Sequence, residues 1–394
     1  MLILSCNVGS TSLKYRLYDM AAGERQLASG HFEGVGRKTG AFHQETLRGI
    51  RESGDEPATG YGDAINRLLR FLLETDTLPE GRCPDCVAFK VVAALGFSGV
   101  QRLDEAVLMG MEALNALLPA HNPPYISAIR QFARRMPGVP LIGSFETGFF
   151  QEMPEYAAIY SLPRRFFEEG VRRNGAHGAS HEYVSRWVME KEGREDLRIV
   201  TCHLGGSSSL AAVKDGKGVD TTIGMSLQTG LPHNNRIGDI DPYLTFYLHE
   251  SLQMPLEEIK TLYARESGLK GLSGGLSDDF RQIAEAAEAG NPVADTAFRA
   301  FAYQIKKQIG ACAAALGGLD ALAFAGGIGQ NNPGLRQAAT EGLEFLGVRL
   351  DPGKNGAAAP GSLISAADSP VRVYVVATNE EIVIARKALA FLSK

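Results

Sequence analysis

The chain has 394 residues, of which 40 are lysine or arginine and 45 are aspartate or glutamate, so its formal net charge is −5. This length exceeds one typical domain, and two domains are expected. The acidic balance argues against nucleic acid or an anionic membrane as the main partner. No apolar stretch approaches the ~20 residues of a membrane span, and the N-terminus lacks a leader pattern, so we expect a cytosolic location.

The first predicted elements are two strands joined by a polar turn. Residues 2–8 form an apolar run typical of a buried strand, and residues 12–19 alternate like a half-buried strand. The turn gathers backbone N–H groups, hydroxyls and one ammonium from Asn7, Gly9, Ser10, Thr11, Ser12 and Lys14. Such a collection suits a phosphate and its metal ion, but an ordinary hairpin with a polar tip would contain the same residues.

Further α/β elements follow in the first half. Residues 87–92 and 139–145 resemble strands, and residues 106–118 and 126–135 resemble helices separated by Asn122-Pro123-Pro124. Five scattered cysteines do not predict a disulfide framework. Cys83 and Cys86 have a zinc-like spacing but no second pair, so a surface loop is favoured over a functional dithiol.

The opening pattern recurs about half a chain later. In residues 197–213 an apolar run again meets a Gly/Ser turn and a second apolar run, and Asp215-Gly216 then predicts a hairpin turn. Two such units predict a duplicated α/β domain, with each turn directed into a shared cleft. The domain change is expected near residues 146–155.

The second half ends in a long helix, two buried strands and a closing helix. These are predicted over residues 292–316, 321–325, 371–376 and 380–391. The first of the two strands enters Gly326-Gly327-Ile328-Gly329-Gln330-Asn331, a glycine run that permits close approach to a nucleotide. A P-loop motif is absent, and the third glycine of a dinucleotide fingerprint is missing.

Three polar clusters are candidates for chemistry. His177 and His181 have a spacing that could bind zinc on a helix, but the glutamate of that motif is missing, and Arg172-Arg173 upstream fits an anion site better. A loop whose histidines cap backbone groups is the alternative. In the second cluster Asp239 could orient Arg236, or the two could form a surface ion pair. His121 precedes Asn122-Pro123-Pro124 in the third, where simple helix termination is the alternative.

Taken in order, these segments resemble the acetate kinase family, within the group of acetate and sugar kinases, Hsp70 and actin. The resemblance covers nearly the whole chain, and its eight motifs in register are highly specific. They are residues 7–14, 121–124, 172–181, 203–205, 236–242, 271–274, 327–329 and 378–381.

The resemblance implies two RNase H-like (actin-like ATPase) domains around a central cleft, usually in a homodimer. The first would comprise residues 1–147 and 380–394, on the carboxylate and phosphate side, and the nucleotide-binding second would comprise residues 148–379. It implies reversible transfer of the ATP γ-phosphoryl group to acetate or another short-chain carboxylate, which gives ADP and an acyl phosphate. Mg²⁺ (or Mn²⁺) and ATP/ADP are the implied cofactor and co-substrate.

The resemblance also implies roles for individual residues. Asn7 and Glu380 correspond to metal-associated residues, and Glu146, His177 and Arg236 to catalytic ones. The substrate side would comprise Lys90, Val92, Ala120, His121, Ala176 and Leu227. The phosphate and nucleotide side would comprise Ser10, Ser12, Lys14, His203, Leu204, Gly205, Gly206, Ser207, Asp279, Phe280, Arg281, Gly327, Ile328, Gly329, Gln330 and Asn331.

Several positions depart from the family pattern. Lys90 stands for an arginine and Glu146 for a catalytic aspartate, and we expect Glu146 to hold metal or water rather than act as a base. Other replacements are Ala93-Ala94-Leu95 for His-Gly-Gly, Phe150 for His, Gly206 for Asn, Leu227 for Pro and Asn234-Asn235 for Gly-Thr.

Ala120 and Ala176 stand where the family has bulky apolar residues, so a pocket enlarged by roughly 100 Å³ is expected. The alternative to acetate is therefore a larger carboxylate, such as propionate, butyrate or a hydroxy acid, or weak binding of acetate itself. A nucleotide-binding homologue that has lost catalysis is a further alternative.

Overall fold

The computed structural model describes residues 1–78, 82–118 and 121–394. Their contacts divide them into two compact units, Met1–Gly148 with Asn379–Lys394, and Phe149–Thr378, called here the first unit and the second unit. Among the described residues, no helix has both the length and the apolar character needed to cross a membrane.

The first unit is built on a mixed sheet, which has eight strands in the described residues. In chain order they are β1 Leu2–Val8, β2 Ser12–Asp19, β3 Arg25–Glu33, β4 Phe42–Thr46, β5 Arg51–Gly54, β6 Cys86–Val91, β7 Val100–Arg102 and β8 Leu141–Phe145. Their spatial order is β5-β4-β3-β2-β1-β6-β8-β7. Strand β1 pairs antiparallel with β2 and parallel with β6, so the sheet changes from antiparallel to parallel at β1.

The second unit contains a smaller mixed sheet. Its strands are β9 Arg198–His203, β10 Ser209–Lys214, β11 Lys217–Thr221, β12 Ala321–Ala325 and β13 Arg372–Val375. Their spatial order is β11-β10-β9-β12-β13, with β9 antiparallel to β10 and parallel to β12. The sequence β3-β2-β1-β6-β8 of the first unit has the same pattern of directions. The predicted duplication is therefore confirmed.

Helices cover the two sheets. They are α1 Tyr61–Glu74, α2 Glu105–Glu112, α3 Asn122–Arg135, α4 Glu155–Ala158, α5 Arg165–Glu168, α6 Gly178–Glu192, α7 Tyr243–Phe246, α8 Leu256–Thr261, α9 Gly268–Leu272, α10 Phe280–Glu288, α11 Pro292–Leu316, α12 Gly326–Asn331, α13 Pro333–Thr340, α14 Pro352–Gly356 and α15 Glu380–Leu392. Short 3₁₀ segments cover Glu146–Phe150 and Glu344–Leu346, and π-helical segments cover Tyr247–Ser251 and Leu262–Glu266.

Two predicted helices of the first unit have different bounds in the structure. The helix predicted over residues 106–118 ends at Glu112. The helix predicted to start at Ile126 starts at Asn122, with prolines in its first turn. The two helices are separate, as predicted, but Asn122-Pro123-Pro124 forms the first turn of the second helix rather than the break between them. The first-turn N–H groups have no helical partner, so proline costs nothing there.

The turn between β10 and β11 of the second unit has the predicted hairpin conformation. Asp215 and Gly216 both have positive φ, at 52° and 75°, between β10 and β11. This left-handed pair is the geometry that matches the twist of a tight hairpin. The following strand returns alongside β10 and completes the antiparallel half of the sheet.

The two cysteines with zinc-like spacing lie in different environments. Cys83 is exposed in the segment before β6, whereas Cys86 is the buried first residue of that strand. Both are free thiols. The surface-loop interpretation is right for Cys83 and wrong for Cys86, whose burial raises the pKa of its thiol to about 12.

Candidate active site

A row of polar residues crosses the sheet of the first unit. Asn7 near the end of β1 is the register partner of Lys14 on β2 and of Lys90 on β6, and Lys90 is in turn the partner of Ser144 on β8. Register partners on neighbouring strands point to the same face of a sheet. Strand pairing therefore gathers an amide, two ammonium groups and a hydroxyl on one face, from four separate strands.

The Lys90 side chain is held by two carboxylates. Its Nζ donates to Glu380 Oε2 at 2.6 Å and lies 3.9 Å from Glu146 Oε2. The exposed fractions of the three side chains are 15% for Lys90, 11% for Glu380 and 3% for Glu146. Burial opposes the charged ammonium, but Glu146 and Glu380 outweigh it and raise the pKa of Lys90.

The turn between β1 and β2 exposes its polar side chains. Gly9 donates its N–H to the Ser12 carbonyl at 2.8 Å, which closes the turn, and a Cβ at Gly9 would collide with Ser12 Oγ. Ser10 and Lys14 are exposed, and Ser12 is half-buried. The predicted phosphate-facing residues are thus accessible at the end of the sheet row.

The predicted carboxylate side is described in part. Val92 is buried just after β6, and His121 is half-buried directly before α3. The buried Asn122 amide donates to the carbonyls of Met111 at 2.7 Å and Ala93 at 3.2 Å, which ties the start of α3 to the neighbouring segments. Ala120, the other predicted residue here, lies outside the described residues.

A histidine–hydroxyl cluster lies beside β9 in the second unit. His177 Nδ1 and His181 Nε2 both contact Ser209 Oγ, at 2.7 and 2.8 Å, and His181 Nδ1 contacts Thr201 Oγ1 at 2.7 Å. The ring of His203 stacks on that of His177 with centroids 4.4 Å apart. The predicted backbone-capping role is wrong for His181, whose ring nitrogens contact these hydroxyls. The Ser209 hydroxyl therefore links the predicted catalytic His177 to the buried imidazole of His181.

Two histidines of the second unit are held neutral by burial. Desolvation lowers the pKa of His181 well below its usual range, and lowers that of His233 to about 3, with the Arg236 charge adding to the effect. His233 Nδ1 accepts the Ser208 N–H at 2.9 Å while Nε2 lies 3.2 Å from the Thr229 carbonyl. These partners fit one neutral tautomer, and a second ring proton would face the Ser208 N–H.

Arg236 contrasts with Lys90 because its charge has no protein counter-ion in the part of the chain that the structure describes. Desolvation by burial lowers the pKa of its guanidinium to about 10. The exposed Asp239 was predicted to orient it, but Asp239 Oδ1 instead accepts the Gly230 N–H at 2.8 Å. A half-buried guanidinium without a carboxylate partner suits an incoming anion.

A cleft of about 580 Å³ lies on the second unit. Residues predicted to hold a nucleotide form most of its lining, and they come from three distant segments: Gly205, Gly206, Asp279, Phe280, Arg281, Gly327, Ile328 and Asn331. Its volume falls within the range typical of small-molecule sites. Asn234, Asp278 and Asn332 also line it. None of these three was predicted to lie in the site, although Asp278 and Asn332 each adjoin a predicted residue and Asn234 lies two residues before Arg236.

Other predicted nucleotide residues support the walls of this cleft. Leu204 is fully buried and Gly329 is buried in α12. The glycine run predicted after β12 is helical, and its first residue, Gly326, has a φ of 74° with no room for a Cβ against the Leu204 carbonyl. The buried Arg336 donates to the carbonyls of Gly329 and Gln330, each at 2.8 Å, and so holds the end of α12.

Three further departures from the family pattern lie in the second unit. Ala176 is buried next to His177, and Leu227 is half-buried. Phe150 is buried among apolar side chains between α6 and the sheet, with its ring centroid 5.9 Å from that of His181. The aromatic ring thus contributes packing at a position where a histidine would bring a second polar group.

The described residues contain no group of three or more histidine, cysteine, aspartate or glutamate side chains placed to bind a metal ion. The zinc interpretation of the His177–His181 spacing is therefore not supported. The oxygen donors near Lys90 are instead two carboxylates and the Asn7 amide, whose Oδ1 lies 3.5 Å from the Tyr125 hydroxyl.

Comparison with known proteins gives concordant matches over the full chain. The model of the acetokinase family matches residues 2–386. An acetate kinase from Clostridium botulinum is 38% identical over 395 residues, covering 98% of each chain. The crystal structure of Porphyromonas gingivalis acetate kinase superposes with a TM-score of 0.88 at 34% identity, covering 99% of each chain. A propionate kinase from Francisella tularensis gives a TM-score of 0.88 at 31% identity, covering 98% of each chain.

We predict that the second unit loses stability as the pH falls below about 6.5, the usual histidine pKa. Unfolding there lets His181 and His233 each bind a proton that the folded state excludes. The free energy of unfolding should therefore fall by up to about 2.7 kcal/mol per pH unit between pH 6 and 5. Urea unfolding followed by fluorescence measures this, because the single tryptophan, Trp187, lies in this unit.

His233→Asn should remove about half of that slope. An unaltered slope in His233→Asn would contradict the assignment.

Proposed function

Because the chain belongs to the acetokinase family, we propose that it catalyses reversible transfer of the ATP γ-phosphoryl group to a short-chain carboxylate, giving ADP and an acyl phosphate. Membership in this family makes the chain a kinase with ATP as co-substrate. The observation that carries the proposal is the convergence of predicted nucleotide residues from three distant segments on one cleft of the second unit.

The residues suit a reaction between two anions. A short-chain carboxylic acid is ionised at neutral pH, so its oxygen can attack the γ-phosphorus without a general base. The main obstacle is repulsion between the carboxylate and the phosphate oxygens, and cationic groups around the transferring group relieve it. In this proposal Arg236 and His177 stabilise that group, while Ser10, Ser12 and Lys14 contact phosphate oxygens. Glu146 holds metal or water.

We propose Mg²⁺, or Mn²⁺, as the metal cofactor. Mg²⁺ prefers oxygen ligands and is commonly held by one or two carboxylates together with substrate phosphates. Glu380 and Asn7 provide such oxygens on the first unit, where Glu380 already contacts a cation. When bound, the ion would supply positive charge to the phosphate oxygens. The residues present fit this role.

Arg236→Ala should lower kcat by at least about 10³-fold, since a guanidinium that stabilises the transferring phosphoryl group is worth 10³ to 10⁵ in rate. Equilibrium dialysis should find ATP affinity within about threefold of wild type, because transition-state stabilisation is separable from ground-state binding. Arg236→Lys keeps the charge without the fork and should retain intermediate activity. An unchanged kcat in Arg236→Ala would remove Arg236 from the reaction.

We further propose that the acceptor is larger than acetate, such as propionate, butyrate or a hydroxy acid. Ala176 is buried beside His177 and takes the place of a bulky side chain in the family pattern, and a smaller side chain there would accommodate extra methylene groups of the acceptor. The structural match to a protein named as a propionate kinase is consistent with this preference.

Acyl phosphate trapped as the hydroxamate, with ATP, Mg²⁺ and a panel of carboxylates, tests both activity and acceptor size. We expect kcat/KM for propionate or butyrate to exceed that for acetate, because each buried methylene contributes about tenfold or more in discrimination. Ala176→Phe should reverse the order. An acetate optimum that declines steadily with chain length would contradict the size proposal, and no hydroxamate with any acid would favour the non-catalytic alternative.

We also propose that the chain is a homodimer. A continuous stretch of the second unit exposes large apolar side chains: Tyr243, Leu244, Phe246, Tyr247, Leu252 and Leu256. Exposed apolar residues concentrated in this way are typical of a protein interface. A second copy of the chain is the partner that the family resemblance implies.

Light scattering on the full chain should give the mass of a dimer, and the double variant Phe246→Glu/Tyr247→Glu should give that of a monomer. Buried glutamates would carry unpaired charge into the interface, which strongly opposes association. Tyr156→Glu is the control, since Tyr156 is an exposed tyrosine elsewhere on the same unit. A double variant that remains dimeric would place the interface elsewhere.

A further inference from the structure

The Lys90 cluster is charged asymmetrically. One ammonium meets two carboxylates, Glu380 at 2.6 Å and Glu146 at 3.9 Å, and all three side chains are largely withdrawn from water. With both carboxylates ionised, their sum with Lys90 is one negative charge. A divalent cation that enters this cluster would change the sum to one positive charge. Because the metal ion alone neutralises the two carboxylates, Lys90 would then lack a counter-ion.

The two partners of the shortest contact differ in how their side chains are attached to the structure. Glu380 is the first residue of α15, and the Asn379 side chain fixes that helix start by accepting the Ile382 N–H at 3.2 Å. The same amide oxygen accepts from Arg16 at 3.0 Å and Tyr18 at 3.2 Å, which anchors it to β2. Lys90 carries its charge on a flexible four-carbon stem. Exchange of partners is therefore a movement of Lys90.

From these contacts we propose that Lys90 is the resident counter-ion of Glu380 and releases it when a divalent metal binds, so that the freed ammonium becomes a binding group for the substrate carboxylate. The inference rests on the proposed function for the identity of metal and substrate. It makes metal binding and carboxylate binding mutually favourable, because each ligand favours the released position of Lys90. Such coupling is reciprocal, so the carboxylate must tighten metal binding by the same factor.

The residue type at position 90 matters to this exchange. An ammonium is a compact point charge that can turn from one oxygen to another with little loss. A guanidinium, which the family pattern has at this position, binds a carboxylate through a planar fork and is harder to detach. Lysine at this position is therefore suited to alternate between an internal carboxylate and a substrate carboxylate.

Mn²⁺ binding to the nucleotide-free full chain, measured by electron paramagnetic resonance, tests the competition directly. Lys90→Met should tighten Mn²⁺ binding by at least about tenfold, because the competing cation is gone. Lys90→Arg should not tighten Mn²⁺ binding, since it keeps the charge and its planar fork is harder to detach from Glu380. Lys38→Met is the matched control: it removes an exposed lysine of the first unit outside the sheet row and should change the affinity by less than about threefold.

A double-mutant cycle identifies the shared ligand. Glu380→Gln should weaken Mn²⁺ binding by at least about tenfold, as expected for loss of a ligand. In the Glu380→Gln background, Lys90→Met should give much less than its single-variant gain, because the contact it disrupts is already absent. Equal effects of Lys90→Met in both backgrounds, or no effect in either, would overturn the proposal.

A measurement on the unaltered chain guards against a variant that fails to fold. The ¹⁵N resonance of the Lys90 ammonium, assigned by its absence in Lys90→Arg, should shift when diamagnetic Mg²⁺ is added. Calorimetry should also show propionate binding at least about fivefold tighter with Mg²⁺ than without it. A resonance that stays in place at saturating Mg²⁺, or no Mn²⁺ binding to any form, would overturn the exchange.

These experiments distinguish failure of the proposed Lys90 exchange from failure of the proposed kinase activity. Acyl phosphate formed by a chain in which Lys90→Met leaves Mn²⁺ affinity unchanged would reject the exchange and keep the kinase. Tighter Mn²⁺ binding by Lys90→Met in a chain that forms no acyl phosphate would keep the exchange and reject the reaction.

Discussion

The register of the central strand in each mixed sheet is the constraint on which the polar groups of each unit depend. In the first unit, pairing of β1 with β2 and β6 places Asn7 between Lys14 and Lys90. In the second unit, pairing of β9 with β10 and β12 places His203 between Ser209 and Ala325, the residue before α12. A slip of one residue would turn each polar row to the opposite face. Strand pairing thus determines which polar groups lie together on one face.

The two units hold their partly buried cations in opposite ways. Lys90 is compensated twice, by Glu380 and Glu146. Arg236 is half-buried without a carboxylate among the described residues, and desolvation lowers the pKa of its guanidinium to about 10. A desolvated cation without a counter-ion lowers stability, and binding of an anion offsets that cost. This asymmetry is consistent with the proposal that a substrate anion binds at Arg236 and a metal ion at Glu380.

Sequence patterns predicted the duplicated architecture because strand alternation and Asp-Gly turns are local signals. The family resemblance also predicted most of the residues that line the cleft of the second unit. The features that the sequence missed depend on contacts between distant segments. Ser209 begins β10 directly after the Gly/Ser turn, but its link from His177 to His181 needs the position of α6 beside the sheet. Asp239 was predicted to orient Arg236 because the two are close in sequence. Its carboxylate instead accepts a hydrogen bond from the Gly230 N–H.

Departures from the family pattern occur in pairs that compensate each other within the structure. Lysine for arginine at Lys90 shortens a cation, and glutamate for aspartate at Glu146 lengthens the acid beside it by one methylene, which leaves the charges 3.9 Å apart. An asparagine lost at Gly206 is matched by one gained at Asn234, whose amide lies 3.4 Å from the Cβ position of Gly206. Random loss of function would not place a gain beside each loss. The pairs therefore argue for a site that has been retained rather than one that has decayed.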